Sequence, residues 1–237
     1  MSKNKGKNSN YKNNIGKEPE VNSKTGATPE SIKKIAIIAS AAILVIAAIV
    51  GAIFLFKPKE FVLQDSGPVP DVAYVEMDFG KYGKVVIKVD GKEAPITAKN
   101  FLDLVYSEFY DGLTIFRAQR NFVIQGGEDK NITLKPIKGE FQSNGIPNNI
   151  THKRGVISMA RTGDPNSATS QFFITLDDSA ASSLDGDYAG FGEVVEGMDV
   201  VDKIANDLFK YSINYMGFVE DRDAIKIKSA KIIDYEE

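Results

Sequence analysis

Three regimes of hydrophobicity follow one another along the chain. Residues 1–34 hold almost no large apolar side chain, and 35–56 hold no charge; beyond residue 70, short apolar runs alternate with clusters of Gly, Asp, Asn and Pro. In this last regime 72–79 and 84–89 read as strands joined through Gly80 and Gly83, with Asp90-Gly91 ending the second. Pro95 opens a helical stretch that places Phe101, Leu102, Val105 and Tyr106 on one face. Tyr110-Asp111-Gly112 then turns the chain into strand candidates at 113–117 and 122–125, followed by others at 155–160, 171–176, 191–195 and 224–234. A second helix fits 198–208, with Val200, Val201 and Ile204 on its apolar side. Many short strands with two helices predict a mainly β domain, either a closed barrel or a sandwich. Periodicity does not choose between them.

The first regime carries six Asn and eight Lys against three Glu, a net charge of +5 that leaves −8 for the rest of a chain totalling −3. Such a segment buries too little surface to offset its chain entropy, which predicts a disordered basic tail over 1–34. The uncharged run 35–56 is 22 residues long and is bounded by Lys33-Lys34 and Lys57. As a helix it would measure about 33 Å, enough to cross a hydrocarbon core of about 30 Å. A buried core helix does not fit, because the run is apolar on every face and Pro58 follows closely. A cleaved secretory signal is the stronger rival, but the run exceeds the usual apolar core of about 7–15 residues and begins late. The expectation is an uncleaved transmembrane signal anchor. Lys17, Lys24, Lys33 and Lys34 before it, against Lys57 and Lys59 after it, place the tail in the cytoplasm and the remainder outside. Residues 57–70, with Pro58, Gly67, Pro68 and Pro70, form a linker, and 71–237 form one domain with a real core.

The chain has no cysteine and one histidine, His152. Disulfides, thiolate metal sites and cysteine nucleophiles are excluded, and a histidine-based zinc site is not expected. A Ser-His-Asp hydrolase would need His152 itself, and no G-x-S-x-G elbow accompanies it. His152 is read as a structural or surface residue. The Glu76/Asp78 and Asp177/Asp178 carboxylates read as solvated strand ends. No cofactor, metal or nucleic-acid partner is expected.

Two separated motifs carry the chemistry: I-F-R-A-Q-R-N-F-V-I-Q-G-G-E over 115–128 and S-M-A-R-T-G-D-P-N-S-A-T-S-Q-F-F-I over 158–174. In the second, Gln171 and Phe173 project on one side of an apolar strand, and a globular core does not explain a glutamine among aromatics. Together the motifs resemble the cyclophilin family of peptidyl-prolyl cis-trans isomerases, and the resemblance extends from about residue 73 to the C-terminus. It implies an eight-stranded antiparallel β-barrel closed on itself and capped by two helices.

Arg117 stands where the family has its catalytic arginine. A peptide bond resists rotation by about 18–20 kcal/mol because the nitrogen lone pair is delocalised into the carbonyl. A fixed guanidinium that donates to the prolyl nitrogen favours the twisted state over both planar states, and so lowers the barrier without any nucleophile or base. By the same resemblance, Phe122 and Val123 wall the proline pocket and Gln125 hydrogen-bonds near the arginine. Strict alternation places Phe122 and Gln125 on opposite faces, so a bend or bulge is expected there, with Gly126-Gly127 following. Ala160, Arg161 and Thr162 match the loop that holds the substrate backbone, in a connection one residue longer than in many eukaryotic members. Gln171 and Phe173 form the far wall. Leu184 and Tyr188 fall in L-D-G-D-Y-A-G-F-G over 184–192, the last pocket motif.

This last motif departs from the best-known eukaryotic pattern: Ser183 stands where tryptophan is common, and Tyr188 where histidine is common. Weak cyclosporin binding is therefore expected. The resemblance implies a rotation catalyst for X-Pro bonds, whose uncatalysed isomerisation takes tens to hundreds of seconds; with the domain placed outside the membrane, its expected substrates are exported proteins. Two rivals are a proline-segment binding module or chaperone with little turnover, and an envelope protein using the barrel as scaffold.

Overall fold

The computed structural model describes residues 61–221 and 224–236, together with Glu30 and Lys33. Apart from those two positions, the expected disordered tail (1–34) and transmembrane segment (35–56) lie outside the described residues. No helix among the described residues is long and apolar enough to cross a membrane.

Nine strands are found there: β1 (Val72–Asp78), β2 (Lys84–Asp90), β3 (Thr114–Gln119), β4 (Val123–Gly126), β5 (Val156–Met159), β6 (Phe172–Thr175), β7 (Gly190–Glu196), β8 (Ile225–Lys226) and β9 (Ser229–Ile233). They make one curled antiparallel sheet in the order β8-β3-β4-β6-β5-β7-β2-β1-β9, so the sandwich alternative falls. The resemblance implies eight strands, and 224–234 reads as a single strand candidate. The structure divides that candidate at Ile227 and Lys228. Ile227 donates its N–H to the Leu113 carbonyl, at the β3 end of the sheet, whereas Lys228 donates to Asp78, at the β1 end. The backbone changes partner there, and side-chain hydrophobicity does not report such a change. The two edge strands are thus neighbours in the chain.

Alternation fixes which face of each strand is buried. Val75 and Met77 on β1 stand opposite Ile87 and Val85 on β2, and all four are fully buried. Inside the sheet Phe101 gathers Tyr110, Phe172 and Phe191 at ring-centroid separations of 5.4, 6.3 and 4.9 Å. Tyr110 is wholly enclosed, and its hydroxyl donates to the Ser170 carbonyl at 2.9 Å, which removes the cost of burying it.

Helix α1 (Pro95–Tyr106) packs on β2 and β9, and α3 (Met198–Leu208) packs on β2 and β3; a third, single-turn helix, α2 (Ala181–Leu184), was not foreseen. The apolar side expected for α3 is the one it buries, extended by Ala205 and Leu208. In α1 the buried arc runs through Thr97, Ala98, Phe101, Leu102, Leu104 and Val105, and Tyr106 lies beyond its edge with its ring exposed. Ala94 cannot cap this helix. Its leading N–H groups are met from a distance, because the buried Glu140 carboxylate accepts from Ile96 N–H at 3.0 Å and Thr97 N–H at 2.7 Å. An anion at a helix N-terminus satisfies orphan donors and complements the helix dipole together. The described part of the linker, 61–70, runs along the same helix: Ser66 donates N–H and hydroxyl to Asp103, and Phe61 meets Phe109 edge to face at 5.1 Å.

His152 is also fully buried. Its Nδ1 lies 2.8 Å from an Asp185 carboxylate oxygen and its Nε2 lies 3.0 Å from the Ser158 hydroxyl. A carboxylate only accepts, so Nδ1 carries the hydrogen and Nε2 accepts from Ser158. The connectivity is that of a hydrolase triad, but Ser158 is fully enclosed and no substrate reaches its oxygen. Burial pushes the His152 pKa down, against the upward pull of Asp185. The unfolded chain therefore takes up a proton near the ordinary histidine value of about 6.5 while the folded chain does not. Stability is greatest above that value and is lost as pH falls toward the depressed folded value. Calorimetric melting should show stability declining below about pH 6.5, with a slope of up to about 1.4 kcal/mol per pH unit. In His152→Asn, which is less stable overall, the slope between pH 6.5 and 5 should flatten; an unchanged slope would assign it to other groups.

Candidate active site

Strand register sets four residues side by side. Arg117 on β3 is paired with Gln125 on β4, Gln125 with Phe173 on β6, and Phe173 with Ser158 on β5. Directly paired residues project from the same face. Their alternates Ile124, Ile174 and Ile157 fill the core on the other. The outer face therefore carries a transverse polar-to-aromatic row beginning with a cation.

Arg117 is held at every nitrogen. Its Nε donates to the Met216 carbonyl at 2.8 Å, and its terminal nitrogens donate to Gln125 Oε1 at 2.8 Å and Gln119 Oε1 at 2.6 Å. Gln125 in turn donates to Gln171 Oε1 at 2.8 Å, and Gln171 donates to Glu128 at 3.1 Å. Each glutamine uses its oxygen toward one neighbour and its nitrogen toward the next, so the guanidinium cannot swing without breaking a chain of bonds. The Phe122 and Phe218 rings lie 6.0 and 5.4 Å from its centre. Burial pulls the Arg117 pKa down from its ordinary value. That value lies far above neutrality, and the charge persists.

Beside the arginine lies an apolar cluster separate from the main core. Val123, Phe173, Ala180 and Leu184 are buried in it, with Phe122, Ala160 and Tyr188 packed around them. Phe173 and Tyr188 meet edge to face at 5.6 Å, and the buried His152 ring stacks behind Phe173 at 6.0 Å. The structure thus brings Phe122, Val123, Ala160, Phe173, Leu184 and Tyr188 together beside the Arg117–Gln125–Gln171 chain. Arg161 lies at the rim, donating to the Asp187 carbonyl at 2.8 and 3.0 Å with its guanidinium 4.7 Å from the Tyr188 ring. Thr162 is exposed and bonds Ser167 at 2.8 Å within the β5–β6 loop, away from the cluster's buried residues. Ala160 donates its N–H to the Gln171 carbonyl at 2.8 Å, which ties the two ends of that loop.

The bulge expected between Phe122 and Gln125 is elsewhere. Phe122 sits in the β3–β4 turn, outside the strand, so Val123 and Gln125 alternate normally. The register shift falls at Phe116, between Ile115 and Arg117 on β3. The turn residue Asn121 has φ 53°, and this reversal frees Phe122 from strand alternation. A shallow cleft of about 480 Å³ opens beside it, lined by Gln119, Phe122, Ala180, Ser182 and Ser183 among others.

Several contributing residues escaped sequence reasoning. Gln119 was accessible to it, being two positions from Arg117 on one strand and hence on the same face. Met216 and Phe218 come from a distant segment; Glu128 ends the 115–128 motif and Ala180 lies just before Leu184, but neither side chain has a pattern that marks it.

A family model described as cyclophilin type peptidyl-prolyl cis-trans isomerase matches residues 74–232. A peptidyl-prolyl cis-trans isomerase of Acinetobacter baylyi is 48% identical over 132 residues, covering 52% of this chain and 68% of that protein. Isomerase A of Dickeya dadantii is 40% identical over 159 residues, covering 64% and 80% respectively. Among solved structures, a Cryptosporidium parvum cyclophilin type isomerase superposes with a TM-score of 0.58 at 24% identity, covering 70% of this chain and 99% of that one, which speaks for the fold alone. With the family match spanning most of the chain, and an arginine-centred row beside an apolar pocket on a curled antiparallel sheet, the chain belongs to the cyclophilin-type peptidyl-prolyl cis-trans isomerases.

Proposed function

We propose that Arg117 catalyses rotation about X-Pro bonds whose proline ring rests on the cluster of Phe122, Val123, Phe173 and Leu184. The supporting observation is the fixation of Arg117 by Met216, Gln119 and Gln125. Those bonds use three of the five guanidinium N–H groups, and among the described residues two remain for a substrate. As the amide twists, the prolyl nitrogen regains its lone pair and becomes an acceptor. An already oriented cation meets it with little reorganisation, so the gain is specific to the twisted state. Tyr188 and Ala160 border the ring, while Gln125, Gln171 and the backbone near Arg161 and Thr162 face the flanking peptide. A solved relative was crystallised in the presence of the dipeptide Ala-Pro, which supports the same substrate class here.

In this reading the sheet closes as a barrel, supported by the position of its two edges on the single segment 225–233. Residues 35–56 anchor the chain in the membrane, the tail lies in the cytoplasm, and the domain acts outside on exported proteins. The support is the 22-residue uncharged run and its flanking lysines. Cyclosporin binds weakly, because the exposed Ser183 borders the cleft where an indole would add area and a donor.

Arg117→Ala should leave the fold intact and reduce kcat/KM on an X-Pro peptide by about 10²–10³, measured by NMR exchange. Arg117→Lys should also be impaired, since an ammonium lacks the planar fork. Near-wild-type turnover in the alanine variant would remove Arg117 from its role. Titration with cyclosporin should show tighter binding to Ser183→Trp than to the parent, by about 1–3 kcal/mol. For topology, external protease applied to intact cells should digest the domain and spare the tail. Carbonate should not release the full chain, and a mature N-terminus near Ala52 would instead mean cleavage.

A further inference from the structure

The segment after α3 enters the mechanism only through the Met216 carbonyl that holds Arg117, yet it lies against the catalytic arginine over a longer stretch. Between Phe116 and Ala118 the outer edge of β3 is paired with 217–219: Ala118 donates its N–H to the Gly217 carbonyl at 2.8 Å, and Val219 donates to Phe116 at 3.0 Å. This pairing brings the two backbones so close that a Cβ on Gly217 would lie 2.0 Å from the Ala118 carbonyl oxygen, and Gly217 has φ +84°. Only glycine fits there. Asn214 then folds the preceding residues into a tight knot, its side chain accepting from the N–H groups of Met216 and Phe218 at 3.0 and 3.3 Å. Ile213 closes it by donating to the Phe218 carbonyl at 2.8 Å.

A knot so built would ordinarily present polar side chains. This one presents Tyr211, Ile213, Tyr215 and Met216, which are 48, 61, 91 and 40% exposed. Exposed apolar residues scattered singly need no explanation, whereas four within six positions form a patch. Its position gives it a meaning. Along the sheet, Arg117 has Gln125 and the proline cluster on one side and this knot on the other. The knot grips the arginine directly, through the Met216 carbonyl on Nε and the Phe218 ring 5.4 Å from the guanidinium. An extended peptide advances about 3.3 Å per residue. One whose proline occupies the cluster and whose chain crosses Arg117 reaches the knot within a few residues.

We propose that residues 211–216 form a second apolar subsite that receives large apolar or aromatic side chains flanking the substrate proline. The proposal rests on the isomerase reading above and names the substrate class that site prefers: segments rich in apolar residues, such as those an unfolded protein exposes. Ile213 and Tyr215 are the determinants of this preference, and Asn214 and Gly217 shape the surface that carries them.

The test compares two Ala-Pro peptides of equal length, one flanked by Phe and Leu and the other by Ser and Gly, with NMR exchange giving kcat and KM. The full chain should favour the apolar peptide by about tenfold in kcat/KM, with the difference in KM. In Ile213→Ser/Tyr215→Ser the ratio should fall toward one. Both side chains are exposed, so an unchanged melting temperature verifies that the fold is kept. Tyr215→Glu should shift the preference toward peptides flanked by Lys. Equal kcat/KM for the two peptides in the parent, or an undiminished preference in the double variant, would overturn the proposal. Self-association of the parent that the double variant abolishes, without any flank preference, would also overturn it, by assigning the patch to a second copy. Turnover that depends on Arg117 but ignores the flanks defeats only the subsite. Absence of turnover on both peptides defeats the isomerase reading instead.

Discussion

Everything distinctive about the outer face depends on antiparallel register across β3, β4, β6 and β5. Because side chains alternate with a period of two, slipping any one of these strands by a single residue would exchange the site row for the core row. Arg117 would then point among Ile124, Ile174 and Ile157, and those isoleucines would face water. The same aliphatic packing that stabilises the domain therefore also fixes the lateral position of the guanidinium. In the pairings that join these four strands, the register shifts at Phe116. It lies immediately before the arginine, on the edge where the knot of 211–216 attaches.

Above this frame, the site is stiffened by polar groups that serve one another. Gln125, Gln171 and Glu128 form a connected series that orients the Gln125 oxygen reaching Arg117, and Gln119 adds a second acceptor from the strand of the arginine itself. None of these groups is buried without a partner; no unsatisfied buried side-chain polar atom occurs among the described residues. That condition matters, because partly satisfied networks in low dielectric are worse than apolar packing. Phe173 receives support of a different kind. Its ring rests on the neutral imidazole of His152, itself held from both ends by Asp185 and Ser158. The wall of the pocket is thus backed by a flat, hydrogen-bonded plate instead of a mobile aliphatic chain.

Much of this was legible in the sequence, and the exceptions share a cause. Strands, helices and the Arg117, Phe122 and Phe173 motifs have local signatures: alternation, Pro at a helix start, glycine at turns. What could not be read depends on partners distant in the chain. The division of 224–234 into β8 and β9 follows from which strand accepts each N–H, Leu113 for Ile227 and Asp78 for Lys228. Residues 122–125 read as a strand, whereas Asn121 at positive φ reverses the chain and leaves Phe122 in the turn. The sequence alone reads His152 as structural or surface. Its enclosure depends on Asp185 and Ser158, 33 and 6 positions away, and on Phe173. The pocket cluster was legible through the family motifs except for Ala180, which has no chemical signature at all.

The remote cap on α1 carries a consequence for the order of folding. Glu140 lies in the connection between β4 and β5, yet its carboxylate supplies the acceptors for N–H groups 43 and 44 residues earlier. Until that connection docks, the first turn of α1 has no protein acceptor there, and Ala94 offers none. The helix can therefore flicker early but acquires its N-terminus only once a long loop has closed, which is entropically slow. The opening turn of α1 and the seating of residues 127–155 thus belong to one late cooperative event. A nascent chain released before residue 140 would have an amphipathic helix with a ragged start, and would depend on the segments still to come for its completion.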